Sequence, residues 1–422
     1  MSSEARLEYL ELMQGHYRPA GRKQRSVLLD EMERVTGLDR KTLIRLMGKG
    51  DLRRRPRSRE RGRSYGLDVQ RALRVIAESL DYICAERLHG NLTWMAEHLA
   101  RHGELRWTER LGKQLDRISV STIRRLLRGM HKDQYYLPRP KPRPANSITR
   151  GIPMKRLPWN ETEPGYFEVD LVFHCGSDAR GEFACSLHMV DVATGWSEIA
   201  AVLGRSQLVI GDAFQRILAR LPFPILGLHP DNGSEFFNHH LMRFWQKQAP
   251  ELSWSRSRPY HKNDNRFVEQ KNSSIVRSYL GYQRLDTVEQ VKAMNCLYQK
   301  LRLYYNLFQP VLRMSCKEIL PQADGTSRVR HRYGPARTPF HRLCATEAVP
   351  QEETEALSQL RTRTNPRWLR VETRELADAI LRMPNAANSP EPQNVYLTLF
   401  RPHALRATAP VTLSFDRTEA LR

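Results

Sequence analysis

The chain has 422 residues, enough for about two to four domains, and its 68 Lys and Arg against 46 Asp and Glu give a formal net charge of +22. This excess excludes an ordinary acidic enzyme and indicates a polyanionic partner, with nucleic acid as the first candidate. The sequence has no apolar run of about 18 residues and no signal-peptide pattern at its start, which argues against a membrane protein and a secreted protein. It has no CxxC pair, which argues against a structural zinc site. We therefore expect a cytoplasmic protein.

The first predicted elements are two helices joined by a short turn at Thr36-Gly37. Apolar residues recur at helical spacing on both sides of this turn: Leu28, Met32 and Val35 before it, and Leu43, Ile44 and Met47 after it. Asp39 is suited to cap the second helix, which would turn three basic residues toward DNA: Arg40, Lys41 and Arg45. We predict a helix-turn-helix DNA-binding module over residues 1–65; the alternative is a helical hairpin with a solvated basic face.

A second helical DNA-binding module is predicted over residues 66–135. Its last helix would begin after Ser119, a suitable N-cap, and turn one face toward an apolar core. The face and the core share apolar character: Ile123, Leu126 and Leu127 on the helix, and Leu73, Ile76, Leu80, Trp94, Met95 and Leu99 around it. Arg124 and Arg125 would then face DNA.

An arginine-rich segment separates the two modules, and its Pro and Gly residues break any helix. Its seven arginines are Arg53, Arg54, Arg55, Arg57, Arg59, Arg61 and Arg63. We expect them to contact phosphates or the minor groove, the alternative being a solvated charge run. After the second module, alternating Pro and basic residues over 137–144 predict a stiff linker, which we place at 136–162.

From residue 163 the pattern changes to three strands and then to alternating helices and strands. Strands are predicted at 167–173, 183–192, 196–203, 224–228 and 252–256, and helices at 207–221, at 239–247 and from Asn265 onward. Three antiparallel strands that continue into βα units make a mixed α/β sheet of five strands. We assign this domain to residues 163–325 and a C-terminal domain and tail to 326–422.

Three acidic residues of this domain are candidates for metal chemistry. Asp170 lies inside the first strand among apolar neighbours, where a carboxylate is costly unless something pairs with it. Asp231 directly follows the fourth predicted strand, and ligands of open α/β sheets bind at such strand ends. Glu269 lies early in the last helix, which can pack on the sheet and bring this side chain to the same place. Carboxylates from these elements can hold two Mg²⁺ ions by oxygen ligation alone.

The segments around these acids resemble one known family. They are Gly165-Tyr166-Phe167-Glu168-Val169-Asp170, His229-Pro230-Asp231-Asn232-Gly233-Ser234-Glu235-Phe236, Arg258-Pro259-Tyr260-His261-Lys262-Asn263-Asp264-Asn265 and Val268-Glu269-Gln270-Lys271-Asn272. Together they resemble the integrase catalytic core of bacterial insertion-sequence DDE transposases, and the likeness extends from about residue 10 to about residue 345. His229-Pro230 departs from the more common Ser-Asp before the second Asp.

The resemblance implies a ribonuclease H-like, retroviral-integrase-like core whose catalytic and metal-binding residues are Asp170, Asp231 and Glu269. It implies two Mg²⁺ (or Mn²⁺) ions as cofactors, and double-stranded DNA, both element ends and target, as the partner. The implied reaction frees a 3′-hydroxyl at each element end and joins it to a target phosphodiester. It also implies self-association to a dimer or larger complex on DNA and a place in the bacterial nucleoid.

Other polar residues near these motifs have more ordinary interpretations. The loop before the last helix offers four groups to a scissile phosphate, unless it is simply solvated: His261, Lys262, Asn263 and Arg266. Other acids compete for the same roles: Glu168 points to the face of Asp170 one pleat away, and Glu235 could reach the site through water, whereas Asp191 is interpreted as a turn former and Asp264 as a helix cap. Strand parity separates His174 from Cys175 and Cys185 from His188, which argues against zinc.

Two other functions compete with the transposase. A catalytically silent DNA-binding regulator would keep the basic helical modules but lose an acid, whereas all three acids are present. A ribonuclease H-like nuclease predicts a fourth metal-binding carboxylate, which is not clear in the sequence. It also gives no reason for two helical modules joined by an arginine run.

Overall fold

A computed structural model of the chain describes residues 3–50, 52, 64–130, 162–230, 236, 239–255, 257, 265–321, 327–388 and 393–400. Its contacts divide the chain into two compact units, Met1–Ser64 and Tyr65–Arg422. Several predicted features lie outside the described residues: the arginine-rich segment 53–63, the linker over 136–161, Asp231, Glu235, the loop 258–264 and the tail after residue 400.

The first unit contains three helices: α1 (Ser3–Tyr17), α2 (Arg22–Thr36) and α3 (Arg40–Met47). Gly37, at φ 65°, ends α2 in the left-handed conformation, and the Asp39 carboxylate accepts a hydrogen bond from the backbone N–H of Thr42 at 3.0 Å, so the predicted turn and cap are confirmed. The core of the unit combines side chains of all three helices: Leu10, Met13, Leu29, Met32, Leu43 and Met47.

The prediction of the buried stripe in this unit is partly wrong. Val35 and Ile44 are 43% and 49% exposed, and Leu29 takes the buried position that we assigned to Leu28, which is only half-buried. The reason is that α1 also packs into this core through Leu10. The faces of α2 and α3 that are buried are therefore the ones that meet α1 as well as each other.

The second unit begins with five helices: α4 (Leu67–Ser79), α5 (Ala85–His89), α6 (Leu92–Arg101), α7 (Glu109–Arg117) and α8 (Val120–Arg128). Ser119 accepts a hydrogen bond from the backbone N–H of Thr122 at 3.3 Å and so caps α8 as predicted. Ile123 is fully buried, and Leu126 and Leu127 pack at the edge of the core, as the apolar pattern indicated.

These helices pack against the C-terminal part of the same unit. Asp81 accepts hydrogen bonds from Arg370 at 3.1 Å and Arg374 at 2.8 Å, both late in the chain. The Arg87 guanidinium donates to the carbonyl of Pro310 at 2.5 Å, and the Tyr304 hydroxyl donates to the carbonyl of Ser79 at 2.9 Å. Ion pairs and backbone carbonyls therefore join the helices to the residues that follow the sheet.

The sheet of the second unit has five strands: β1 (Tyr166–Phe173), β2 (Ala184–Asp191), β3 (Ser197–Leu203), β4 (Gly227–Pro230) and β5 (Ser253–Trp254). Their order is β3-β2-β1-β4-β5, with antiparallel pairs among β1, β2 and β3 and parallel pairs among β1, β4 and β5. The predicted mixed five-stranded α/β sheet is confirmed. β2 and β3 are buried along their whole length, which requires both faces of the sheet to be covered.

Helices of the sheet domain alternate with or follow these strands: α9 (Gln207–Leu218), α10 (His239–Gln248), α11 (Arg266–Lys271), α12 (Ser278–Leu280) and α13 (Val288–Leu303). The predicted long helix from Asn265 is not continuous, because a π-helical turn at Asn272–Arg277 separates α11 from α12. A second π-helical turn at Tyr304–Phe308 ends α13. The Tyr305 hydroxyl in the second turn donates to the Ser274 carbonyl in the first at 2.9 Å.

The chain then forms a hairpin of β6 (Met314–Pro321) and β7 (Ser327–Tyr333), followed by α14 (Pro339–Leu343), α15 (Gln351–Arg363) and α16 (Pro366–Arg382). Near the end of the described chain, the Asp212 carboxylate on α9 accepts the backbone N–H of Phe400 at 2.8 Å. None of the helices among the described residues combines the length and apolar composition that a bilayer crossing requires.

Candidate active site

Asp170 lies in the central strand of the sheet. β1 pairs antiparallel with β2, where Asp170 is opposite His188, and parallel with β4, where Val169 is opposite Pro230. The Asp170 side chain is half-buried, and its Oδ2 atom accepts a hydrogen bond from Nδ2 of Asn272 at 2.6 Å. A buried amide therefore fixes one carboxylate oxygen of the first predicted catalytic acid.

Glu269 lies on α11, which packs over this part of the sheet. Val268 and Ile275 turn their side chains inward and are buried, as predicted, while Glu269 is exposed. Asn272, the first residue of the π-helical turn after α11, follows Glu269 by three positions and contacts Asp170. The structure thus joins the strand of Asp170 to the end of the helix that carries Glu269.

Asp231 itself lies outside the described residues, but the strand that precedes it does not. β4 ends at Pro230. His229 is completely buried, with its Nδ1 atom 2.8 Å from the Ser255 hydroxyl and its Nε2 atom 3.4 Å from the Ser257 hydroxyl. The unusual histidine before the second Asp therefore joins β4 to the segment after β5.

Carboxylate oxygens are the donor atoms that Asp170 and Glu269 offer, and these are the ligands that Mg²⁺ and Mn²⁺ prefer. Within the described part of the chain, no group of three or more His, Cys, Asp or Glu side chains is close enough together to hold a metal ion. The donor chemistry fits a hard divalent cation, and the third predicted ligand, Asp231, is the residue that the structure does not describe.

Glu168 occupies the same face of β1 as Asp170 but is almost completely buried, at 2% exposure. Its Oε2 atom accepts two hydrogen bonds from the first turn of α11, from the backbone N–H of Phe267 at 2.7 Å and of Val268 at 2.9 Å. Burial raises the pKa of Glu168 to about 8, against the opposite effect of these two amides and of the positive Arg266 and Arg313. The strand pattern predicts the shared face but not this contact with α11.

Asn272 also contacts His188, which is buried beside Asp170. The Nδ1 atom of His188 lies 2.6 Å from Oδ1 of Asn272, and burial lowers the pKa of His188 to about 3. Because Nδ2 of Asn272 donates to Asp170, its Oδ1 atom is an acceptor, which assigns the proton of the neutral imidazole to Nδ1. His188, Asn272 and Asp170 therefore form one directed chain of hydrogen bonds.

His174, another candidate zinc ligand in the sequence, is used in a similar way. Its Nε2 atom lies 2.8 Å from the Ser186 hydroxyl, which in turn lies 2.5 Å from the Tyr298 hydroxyl. Burial lowers the pKa of His174 to about 3, so the imidazole is neutral at physiological pH. The two histidines thus contact separate hydrogen-bond partners in the interior of the sheet, Ser186 and Asn272.

Cationic side chains lie near both ends of α11. Lys271 places its Nζ atom 5.4 Å from the centre of the Tyr305 ring, and burial together with the positive charges of Arg87 and Arg313 lowers its pKa to about 7. Arg313 and Arg266 both lie over the Phe267 ring, at 4.7 and 4.8 Å from its centre. Arg266, a predicted DNA contact, thus lies close to the start of the helix that carries Glu269.

The predicted DNA-binding cations differ in their surroundings. Arg40 forms an ion pair with Asp30 and donates to the Ser26 hydroxyl at 2.7 Å, and Arg124 forms an ion pair with Glu86. Three others are exposed on the helices that we predicted: Lys41, Arg45 and Arg125. Exposed ion pairs contribute little, so a DNA phosphate can replace the acid partners of Arg40 and Arg124. The remaining candidates, the arginines of 53–63 and residues 261–263, lie outside the described residues.

Comparison with known proteins identifies a relative in Sinorhizobium fredii (strain NBRC 101917 / NGR234). This protein, the uncharacterized protein y4rM, is 34% identical over 343 residues, which cover 81% of this chain and 96% of the relative. The chain belongs to the y4rM family. Membership in the y4rM family assigns no activity, since y4rM is itself described as uncharacterized. No protein-family model matches the chain.

Two solved structures are similar to part of the chain. The catalytic core domain of BIV integrase is 14% identical with a TM-score of 0.24, over 34% of this chain and 83% of that one. The HTLV-2 integrase catalytic core domain, in a dimeric form in complex with magnesium, is 16% identical with a TM-score of 0.26, over 35% of this chain and 90% of that one. Scores of this size do not establish a shared function.

Proposed function

We propose that the protein is a DDE transposase, which binds the ends of its insertion sequence, exposes their 3′-hydroxyls and joins them to target DNA by transesterification. The observation that carries the proposal is the contact between Asp170 on the central strand and Asn272 in the π-helical turn that directly follows the helix of Glu269. In the sequence, Asp170, Asp231 and Glu269 form the acidic pattern of the DDE transposases. β4 ends at Pro230, the residue before Asp231.

The residues of the chain divide the work in this proposal. Asp170, Asp231 and Glu269 would hold the metal ions, and His188 and Asn272 keep the Asp170 carboxylate in one orientation. Two Mg²⁺ or Mn²⁺ ions, when bound, would supply Lewis-acid stabilisation and lower the pKa of the attacking hydroxyl.

DNA binding in this proposal rests on charge. The net charge of +22 favours a polyanion, and exposed cations lie on α3 and α8. Arg87 and Arg313, whose positive charges act on Lys271 two positions after Glu269, favour a phosphate beside this helix. Because two element ends must be brought together, we expect a dimer or larger complex on DNA. In a bacterial cell such a protein would reside on the nucleoid.

The same contacts weigh against the nuclease alternative. A ribonuclease H-like nuclease is expected to have a fourth metal-binding carboxylate. On the face of β1 that carries Asp170, the nearest acid is Glu168. Its carboxylate is buried and already accepts two backbone N–H groups of α11. No observation on the described residues favours the regulator, which would need no arrangement between Asp170 and α11.

The test is a set of isosteric replacements. Asp170→Asn, Asp231→Asn and Glu269→Gln should each lower end cleavage and strand joining by about 1,000-fold or more, since metal ions contribute several kcal/mol to the transition state. DNA affinity should stay unchanged. The matched control is Asp178→Asn, at an exposed acid that pairs with its neighbour Arg180 and lies near Arg284. Normal joining by any of the three variants would show that the acid was wrongly assigned.

A further inference from the structure

Glu168 makes a contact that no part of the proposed chemistry uses. It lies on β1 two residues before Asp170, on the same face of the strand, and is almost fully buried. A single oxygen of its carboxylate, Oε2, accepts the backbone N–H groups of Phe267 and Val268. These two residues immediately precede Glu269.

The start of α11 needs such a partner. The first N–H groups of an α-helix have no acceptor within the helix and are usually satisfied by a side chain at the N-cap. The N-cap residue here, Asn265, makes no side-chain capping hydrogen bond. Glu168 therefore performs from the neighbouring strand the task that an N-cap side chain performs in other helices of this chain, such as Ser119 in α8.

The contact also fixes a distance within the site. Glu168 and Asp170 are held on one rigid strand, and the hydrogen bonds of Glu168 end on the two residues before Glu269. At the other end of α11, Asn272 bonds Asp170 itself. The helix is thus attached to β1 on both sides of Glu269, which leaves it little freedom to slide or rotate relative to Asp170.

We propose that Glu168 is a positioning residue: its carboxyl oxygen anchors the first turn of α11 to β1 and so sets the place of Glu269 relative to Asp170. The inference rests on the proposed function only in assigning metal binding to Glu269. The anchoring acts through hydrogen-bond acceptance at one oxygen and requires neither a negative charge nor contact with metal. A glutamine offers the same acceptor, since a carboxamide oxygen can accept two hydrogen bonds.

The test compares two replacements of similar length. Glu168→Gln keeps the acceptor, and Glu168→Met removes it. The matched control is Asp191→Asn, at another buried carboxyl that accepts two backbone N–H groups, those of Gly165 at 2.8 Å and Thr194 at 2.7 Å, neither of which belongs to α11. If the Met variant does not fold, Glu168→Asp takes its place, because its shorter side chain withdraws the acceptor.

Hydrogen–deuterium exchange of the full chain, without DNA or metal, is the first readout. In the Met variant the amides of Phe267 and Val268 should exchange about 5- to 150-fold faster, the effect of losing two hydrogen bonds of ordinary net strength. The Gln variant should exchange as the wild type does. The Asp191→Asn control should leave α11 unchanged.

The second readout is the affinity of the protein for Mn²⁺ in the absence of DNA, measured by electron paramagnetic resonance. The dissociation constant should rise about tenfold or more in the Met variant and stay within about twofold in the Gln variant, because only the former displaces Glu269. An equal loss of Mn²⁺ affinity in the Gln and Met variants would overturn the proposal, because it would show that the charge of Glu168 matters and not its hydrogen-bond acceptor. Unchanged exchange in the Met variant would also overturn it. If the wild type binds no Mn²⁺ and joins no DNA, the proposed function fails, and the exchange result alone decides the anchoring.

Discussion

Replacement of Asn272 by Leu removes the central link of the hydrogen-bond chain. Asn272 is 8% exposed, and its amide bonds Asp170 and His188, both at 2.6 Å. A hydrogen bond to a charged group contributes about 1.5–3 kcal/mol, and a buried donor left without a partner costs about 1–3 kcal/mol. We therefore expect Asn272→Leu to lower the free energy of unfolding by about 2.5–6 kcal/mol. It should also release Asp170 from its fixed orientation.

The matched control is Asn295→Leu on α13. Asn295 is also buried, and its amide bonds the backbone N–H and carbonyl of Ala201 at 3.0 and 2.9 Å, far from the acids in the sequence. Urea denaturation gives the stability of each variant, and strand joining is then measured per folded molecule. We expect both variants to lose stability but only Asn272→Leu to lose joining, by about tenfold or more. Equal joining by the two folded variants would refute the positioning role of Asn272.

Three further predictions concern DNA binding and pH. Replacing the arginines of 53–63 by Gln should weaken binding to every duplex and flatten the plot of log K against log salt by about 0.9 for each phosphate that is no longer neutralised, which a salt titration measures. Lys41→Ala and Arg45→Ala should instead reduce the preference for element ends over random DNA, by about 1–3 kcal/mol for each true base contact, in a competition assay. Because burial lowers the pKa of His174 and His188 to about 3, these two imidazoles bind more protons in the unfolded chain than in the folded one below about pH 6.5. Their contribution to the free energy of unfolding should fall as the pH decreases from about 6.5 toward 3, so His188→Gln should change the slope of stability against pH in that range; an unchanged slope in pH-dependent denaturation would contradict the buried neutral imidazole.

Local patterns in the sequence predict the elements of this fold well. Alternation of apolar residues indicated β1, and the spacing of Val268 and Ile275 indicated the buried face of α11. Turn and cap chemistry placed Asp39 and Ser119 at helix starts, because these preferences depend on a few neighbouring residues. Asp191 forms the expected turn, accepting the N–H of Thr194 at 2.7 Å.

Contacts between distant segments were not predictable in this way. The bonds from Glu168 to α11 join residues about one hundred positions apart, and no local pattern encodes them. The one signal in the sequence for this contact was Glu168 itself, a second acid two positions before Asp170 in an otherwise apolar strand. Similarly, Val35 was assigned to the core because helical spacing cannot show which face α1 covers. The π-helical turn after α11 likewise contacts a distant residue, Tyr305, which lies thirty-one positions beyond Ser274.

The central claim is that Asp170, Asp231 and Glu269 support metal-dependent transesterification of DNA. The most direct measurement supplies the purified chain with duplex ends that already carry a free 3′-hydroxyl, a supercoiled target and Mg²⁺, and follows joined product by gel electrophoresis. We expect joined product in Mg²⁺, none in excess chelator and none with Asp170→Asn, although that variant still binds the duplex. Joining that persists in chelator, or in the Asp170→Asn variant, would contradict it.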